Sequence, residues 1–211
     1  MINRTIITIG RQFGSGGRLI GQKLAALLDI PFYDKQLIAL AAEKTGVNSA
    51  MLQKADEQAT NYLFYSSILD SYGLGGLSAS AAYQMPVNDQ LFIAQSDIIR
   101  ELADNGPCVI IGRCANYILK DNPNCLNLFF KAPIGDRVNR ALEEYQMEAS
   151  HIEDTITKID KRRATYYNYY ADNRWGKTDT YDFILNSSVL GMEATSELIA
   201  QMVNLKEKPQ F

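Results

Sequence analysis

An apolar strand that runs straight into a cluster of glycines constrains this chain more than any other feature in it. Thr5-Ile6-Ile7-Thr8-Ile9 reads as a buried strand, and Gly10-Arg11-Gln12-Phe13-Gly14-Ser15-Gly16-Gly17-Arg18 follows without a break. From Gly21 to Leu28 apolar residues recur at helical spacing, so a helix begins near Gly17. Strand, glycine turn and helix N-terminus, in that order, bring backbone N–H groups to one point and add the positive end of a helix dipole. That is a cradle for phosphate. A plain strand-to-helix turn, using glycine only to reach positive φ, is the alternative.

The glycines stop short of a complete P-loop. That signature ends in Gly-Lys-Ser/Thr, where lysine reaches the outer phosphates and the hydroxyl holds magnesium. Here Gly17 stands at the lysine position, and neither of the next two residues, Arg18 and Leu19, is Ser or Thr. Arg11 and Arg18 flank the turn and can supply the missing positive charge.

The rest of the chain reads as strand, helix, short strand, helices, strand, helix, strand, helices, strand, helix. Ile30-Pro31-Phe32-Tyr33 is a brief extended piece, since the residue before proline leaves the α region. A helix follows from about Lys35 to Lys44, with Gly46 as its C-cap. Gly73 to Ala82 is rich in small residues and reads as a mobile loop. Asn88 or Asp89 caps a helix ending at Gly106. Pro107 to Ile111, Leu126 to Phe130 and Tyr181 to Leu185 are continuous apolar runs of the kind buried in a parallel sheet. Helices occupy Ile134 to Tyr145 and His151 to Tyr170, the second starting on the capping-box spacing Ser150-His151-Ile152-Glu153. Alternating strands and helices imply right-handed crossovers, with ligands at the carboxyl ends of the strands.

Composition narrows the classes. With 211 residues the chain suits one α/β domain with an insertion. A net charge of −3 argues against general nucleic-acid binding. No apolar run reaches the roughly 20 residues of a membrane span, and no signal-like opening precedes the first strand, so a cytoplasmic location is expected. Cys108, Cys114 and Cys125 form no C-x-x-C pair and read as reduced, buried thiols. One histidine, His151, makes a zinc site or a Cys–His pair improbable.

Arginines recur where the ligand edge of such a sheet should lie. Arg113 leaves the end of the strand Val109-Ile110-Ile111. Arg137 and Arg140 share a helix face, where a solvated pair is an equal alternative. Asp160 and Arg163 stand one helical turn apart, with Tyr167 continuing the face and Arg174 and Trp175 beyond. The tyrosines read as packing against the sheet, and Arg163 with Asp160 reads as functional.

In this order and spacing the motifs resemble the cytidylate kinase family, most closely its divergent cytidylate-kinase-like branch. Ile7-Thr8-Ile9 with Gly14-Ser15-Gly16 resembles the P-loop entry, and Phe32-Tyr33-Asp34 the stretch with an acceptor-side aspartate. Gly112-Arg113 falls on a Gly-Arg-Asp motif whose arginine contacts the monophosphate, with Cys114 in place of the aspartate. Ala132-Pro133 through Arg137 and Arg140 is similar to the turn and helix with donor-side arginines. Asp160 and Arg163 coincide with the lid motif Asp-x-x-Arg, although Ile156 stands where another lid arginine is usual, and Asp182 to Ser187 matches the following strand.

The resemblance implies an α/β fold of P-loop NTPase type: three α/β/α layers, a parallel sheet, a helical monophosphate-binding insertion at about 47–88 and a helical lid at about 150–178 in a single domain. It implies transfer of the ATP γ-phosphoryl group, with Mg2+, to a nucleoside monophosphate such as CMP or dCMP, or to another small acceptor. A catalytically impaired nucleotide-binding regulatory protein is the alternative. Gly10, Arg11, Gly14, Ser15, Gly16, Gly17, Arg18 and Arg137 are then expected on the nucleotide, and Asp34 and Arg113 on the acceptor. Arg163, Asp160 and Arg18 are expected in catalysis, with Asp160 holding Arg163. A homodimer is compatible with this reading; nucleic acid and membrane partners are not expected.

Overall fold

The structure, a computed structural model, describes residues 4–34 and 87–208. The expected helix at Lys35 to Lys44, the Gly73 to Ala82 loop and nearly all of the expected insertion lie outside those residues. The chain divides into two units, Met1–Lys35 with Ile99–Phe211, and Gln36–Ile98. The architecture below is that of the first.

Its centre is β1 (Ile6–Arg11), whose alternating residues serve two faces. The strand is flanked by β3 (Cys108–Ile111) and β4 (Cys125–Lys131), with β2 (Phe32–Tyr33) and β5 (Phe183–Asn186) outside them. All pairings are parallel, and the order is β2-β3-β1-β4-β5. Ile6 pairs with Cys108 on one side and with Cys125 on the other, so β1 is locked in register along its length. Chain order turns outward in both directions from β1. Its carboxyl end is therefore the crevice where open parallel sheets take ligands.

One sheet face carries Ile7, Ile9, Val109, Ile111, Leu126, Leu128 and Phe130 against Ile20 and Leu24 of α1 (Gly17–Leu28) and Ile199 and Val203 of α6 (Gly191–Lys206). The opposite face includes Phe129, which packs on Trp175 and Tyr181 with ring centroids 5.1 and 4.9 Å apart. In the chain, α2 (Val87–Asn105) precedes β3, and the short α3 (Ala115–Ile118) follows it and lies against β1. The three-layer parallel α/β fold read from the sequence is the one observed. All three cysteines are buried and free, and burial pushes the thiols of Cys108 and Cys114 up to about 12.

Two helices form a smaller cluster of their own at the ligand edge. α4 (Ile134–Glu143) and α5 (Ile152–Tyr170) pack through Ala141, Ile152 and Ile156, and Phe13 of the glycine turn inserts among them. The expected capping box is corrected here. His151, in the left-handed region at φ 54°, is the N-cap of α5, and no side chain caps the helix. A residue at positive φ turns the chain too sharply for Ser150 to reach the first-turn N–H groups. Strand and helix ends differ elsewhere by a few residues: α2 starts at Val87 rather than after Asn88, and β5 begins at Phe183 rather than Tyr181.

The ends of the first unit are joined by Glu207, which accepts from the N–H groups of Arg4 and Thr5 at 2.8 and 2.9 Å and from the Thr5 hydroxyl at 2.8 Å. Burial pushes its carboxyl up, but these donors outweigh burial and leave it below its ordinary value. Removal in Glu207→Ala is expected to cost about 1 kcal/mol in urea unfolding, discounted for partial solvent exposure. Because the folded value is the lower one, that stability is present above the ordinary carboxylate range and fades as pH falls through it. A wild-type minus variant difference that stays flat down to strongly acidic pH would contradict this.

Candidate active site

The glycine turn continues the β ladder by one bond, Gln12 N–H to Phe130 C=O at 2.9 Å, and then leaves the sheet. Gly14 and Gly16 take φ of 75° and 77°, values open to glycine at little cost, and α1 begins at Gly17. Space enforces glycine too. A Cβ on Gly14 would lie 2.6 Å from the Arg137 carbonyl, and one on Gly17 2.9 Å from Arg11 Cβ and 3.0 Å from Phe130 Cβ. No side chain fits at Gly17, the position expected for lysine, without moving both neighbours.

Every carbonyl from Arg11 to Gly16 has a donor. Arg163 Nη1 donates to Arg11 C=O at 3.2 Å, and Arg137 Nε to Phe13 C=O at 2.7 Å. Arg140 Nη1 donates to Gly14 C=O and the Ser187 hydroxyl to Ser15 C=O. Ser15 N–H turns back to Gln12 C=O at 3.3 Å, and Ile20 N–H reaches Gly16 C=O at 2.9 Å. A trans peptide plane points its C=O and N–H in opposite directions. Holding the Phe13 and Ser15 carbonyls outward therefore aims the N–H groups of Gly14 and Gly16 to the other side. Those two amides, with Arg18 and Leu19 in the first turn of α1, take no acceptor among the described residues. The result is an amide-lined cradle at a helix N-terminus, suited to an anion.

Around the cradle stand the charges read from the sequence. Arg18 Nε pairs with Asp34 Oδ2 at 2.6 Å, which joins the start of α1 to the end of β2. Gly112, Arg113 and Cys114 leave β3 in three successive positive-φ conformations, 70°, 57° and 57°, and the Arg11 guanidinium lies against Gly112. Non-glycine residues in that region are costly, so the turn after β3 is held by its surroundings. Asp160 accepts from Phe13 N–H at 2.7 Å and pairs with Arg137, whose side chain is buried. Burial pushes the Asp160 carboxyl up, against the pull of Phe13 N–H, Arg137 and Arg163. The expectation that Asp160 holds Arg163 thus meets a different arrangement: its closest cation is Arg137, and Arg163 binds the loop backbone and covers the Phe13 ring at 5.5 Å.

The sequence reading omitted several participants. Gln12 Oε1 accepts from Ala132 N–H at 3.2 Å, tying the loop to the turn before α4. Ser187 and the Phe13 amide carried no local signal, since each works through a contact distant along the chain. Arg140, read from its spacing of three as a helix-face partner of Arg137, donates to the Gly14 carbonyl.

With this geometry in hand, likeness to known proteins is informative. The sequence model described as the cytidylate kinase-like family matches residues 6–189. Among solved structures, an uncharacterized protein from Eubacterium ventriosum ATCC 27560 is 27% identical, with TM-score 0.68, over 95% of this chain and 99% of that one. Shikimate kinase from Acinetobacter baumannii, in complex with shikimate, matches at 13% identity and TM-score 0.51 over 98% and 96%. A gluconokinase from Sinorhizobium meliloti 1021 matches at 11% and 0.51 over 98% and 99%. These last two show the fold alone. A search of curated proteins finds no match.

Gly14→Ala places a methyl group against backbone in a left-handed conformation, and is expected to cost about 1–3 kcal/mol in chemical unfolding. An unchanged unfolding midpoint would mean that the loop is not pressed against α4.

Proposed function

This chain belongs to the cytidylate kinase-like family, and we propose that it transfers the γ-phosphoryl group of ATP to a small acceptor, first a CMP-like or dCMP-like monophosphate. The observation that carries the proposal is the row of open amides at Gly14, Gly16, Arg18 and Leu19, with the loop carbonyls occupied behind them. Phosphoryl transfer depends mainly on positioning and on neutralising charge, and this arrangement offers both. ATP would supply the phosphoryl group and Mg2+ part of the neutralisation. Among the described residues no group of three or more His, Cys, Asp or Glu gathers; a magnesium ion held through phosphate oxygens and water needs one or two protein ligands at most.

In this reading the loop amides hold the donor phosphates, assisted by Arg11 and Arg18. Asp34 and Arg113, at the ends of β2 and β3, orient the acceptor, and the Arg18–Asp34 pair links the two halves of the site. Arg163 moves from the loop carbonyl to the transferring group as residues 150–178 close as a lid. Residues 47–88 serve as the acceptor-binding insertion. We assign the protein to the cytoplasm, without nucleic acid or membrane partners; among the described residues no helix is long and apolar enough to cross a membrane.

Crowding at Gly17 favours one second reading, a nucleotide-binding protein with impaired catalysis, because lysine has no room there. A coupled assay over nucleoside monophosphates, sugars and small alcohols separates the two. Turnover is expected with at least one pyrimidine monophosphate; ATP binding without turnover on any acceptor would leave only the second reading. Arg163→Ala is expected to raise the barrier by about 2–4 kcal/mol, like removal of one preorganised donor. Under the second reading the same variant leaves nucleotide binding unchanged.

A further inference from the structure

Phe13 is gripped on every side. Its N–H donates to Asp160 Oδ1 and its C=O accepts from Arg137 Nε, both at 2.7 Å. The two side chains pair with each other through Asp160 Oδ2 and Arg137 Nη2. The ring lies 5.5 Å from that of Tyr145 and under the Arg163 guanidinium, inside the cluster that joins α4 to α5. One ion pair therefore fixes two successive peptide planes, before and after Phe13, with charge-assisted bonds. The second plane carries the N–H of Gly14, the first open amide of the cradle. With 8% and 13% of their side chains exposed, Arg137 and Asp160 have little surface left for a ligand.

We propose that Arg137 and Asp160 are positioning residues, whose pair clamps the Phe13 backbone and so aims the Gly14 amide and the rest of the cradle at the donor phosphates. The proposal rests on the donor-site reading above for its ligand, but not for its geometry. It moves Asp160 from a partner of Arg163 to a brace on the loop, and Arg137 from the nucleotide to the backbone behind it. It also makes α5 a mechanical part of the phosphate loop, because Asp160 sits on that helix.

The test is amide NMR on the full chain together with calorimetric binding of a non-hydrolysable ATP analogue. Asp160→Asn keeps the shape but removes the charge, and Arg137→Lys keeps the charge but cannot reach both partners. Both are expected to shift the Phe13 and Gly14 amide resonances and to weaken the analogue roughly tenfold or more, the equivalent of one charge-assisted bond. Asp154→Asn, exposed on the same helix, is expected to change neither. Should Asp160→Asn fail to fold, Asp160→Glu is read in the same way. Folded variants whose Phe13 and Gly14 amides stay at wild-type positions overturn the clamp. Shifted amides with no analogue binding even in wild type uphold the clamp and remove the donor-site reading instead.

Discussion

A loop can offer N–H groups to an anion only if its carbonyls are satisfied elsewhere, since each trans peptide plane sends the two in opposite directions. The turn after β1 meets that condition with side chains from three distant places. Arg137 and Arg140 come from α4, Arg163 from α5 and Ser187 from the end of β5. Guanidinium groups suit the task because one fork can hold a carbonyl and a carboxylate together, as Arg137 does. Remove these donors and the glycines alone would leave the planes free to rotate, for glycine permits the cradle without specifying it.

Topology makes those distant donors neighbours. In the order β2-β3-β1-β4-β5 the central strand delivers its turn to the sheet edge where the connections after β2, β3, β4 and β5 also begin. Asp34, Arg113, the start of α4 and Ser187 all follow strand carboxyl ends, so each has a short path to the same crevice. The alternation within β1 matters equally. Ile7 and Ile9 fix one face onto α1 and α6, which leaves Gly10 on the other, where Phe129 and the Tyr181 hydroxyl approach within 3 Å of the place a Cβ would occupy. The loop thus starts from a strand held on both faces.

The parts of this arrangement that the sequence disclosed are those with local signatures. A buried strand followed by clustered glycines announces a strand–turn–helix, and continuous apolar runs announce β3 and β4, because period and composition act over a few residues. Arg113, Arg137, Asp160 and Arg163 were found as charges at the ends of strands or on one helix face. Their partners were not legible. Nothing near Phe13 says that its N–H meets a carboxylate 147 residues away, and nothing near Ser187 points to Ser15. The Ser150 capping box failed for the converse reason: a local pattern was present, but His151 at positive φ redirected the backbone.

The missing lysine is best understood through the same packing. Gly17 lies against Arg11 and Phe130, so the interior of the turn is already filled at the point where a lysine stem would leave the helix. In the proposed donor site, positive charge would then approach from the flanks, where Arg11 and Arg18 stand. Arg18 is held toward β2 by Asp34, whereas the Arg11 guanidinium rests against Gly112 at the end of β3. Both cations therefore sit between the phosphate loop and the strands expected to orient an acceptor. In the proposed phosphoryl transfer, arginines in these two positions would serve the boundary between donor and acceptor. Charge placed there would be best used where the transferring group passes, so under the proposed reaction the departure from the signature would relocate the cation along the reaction path.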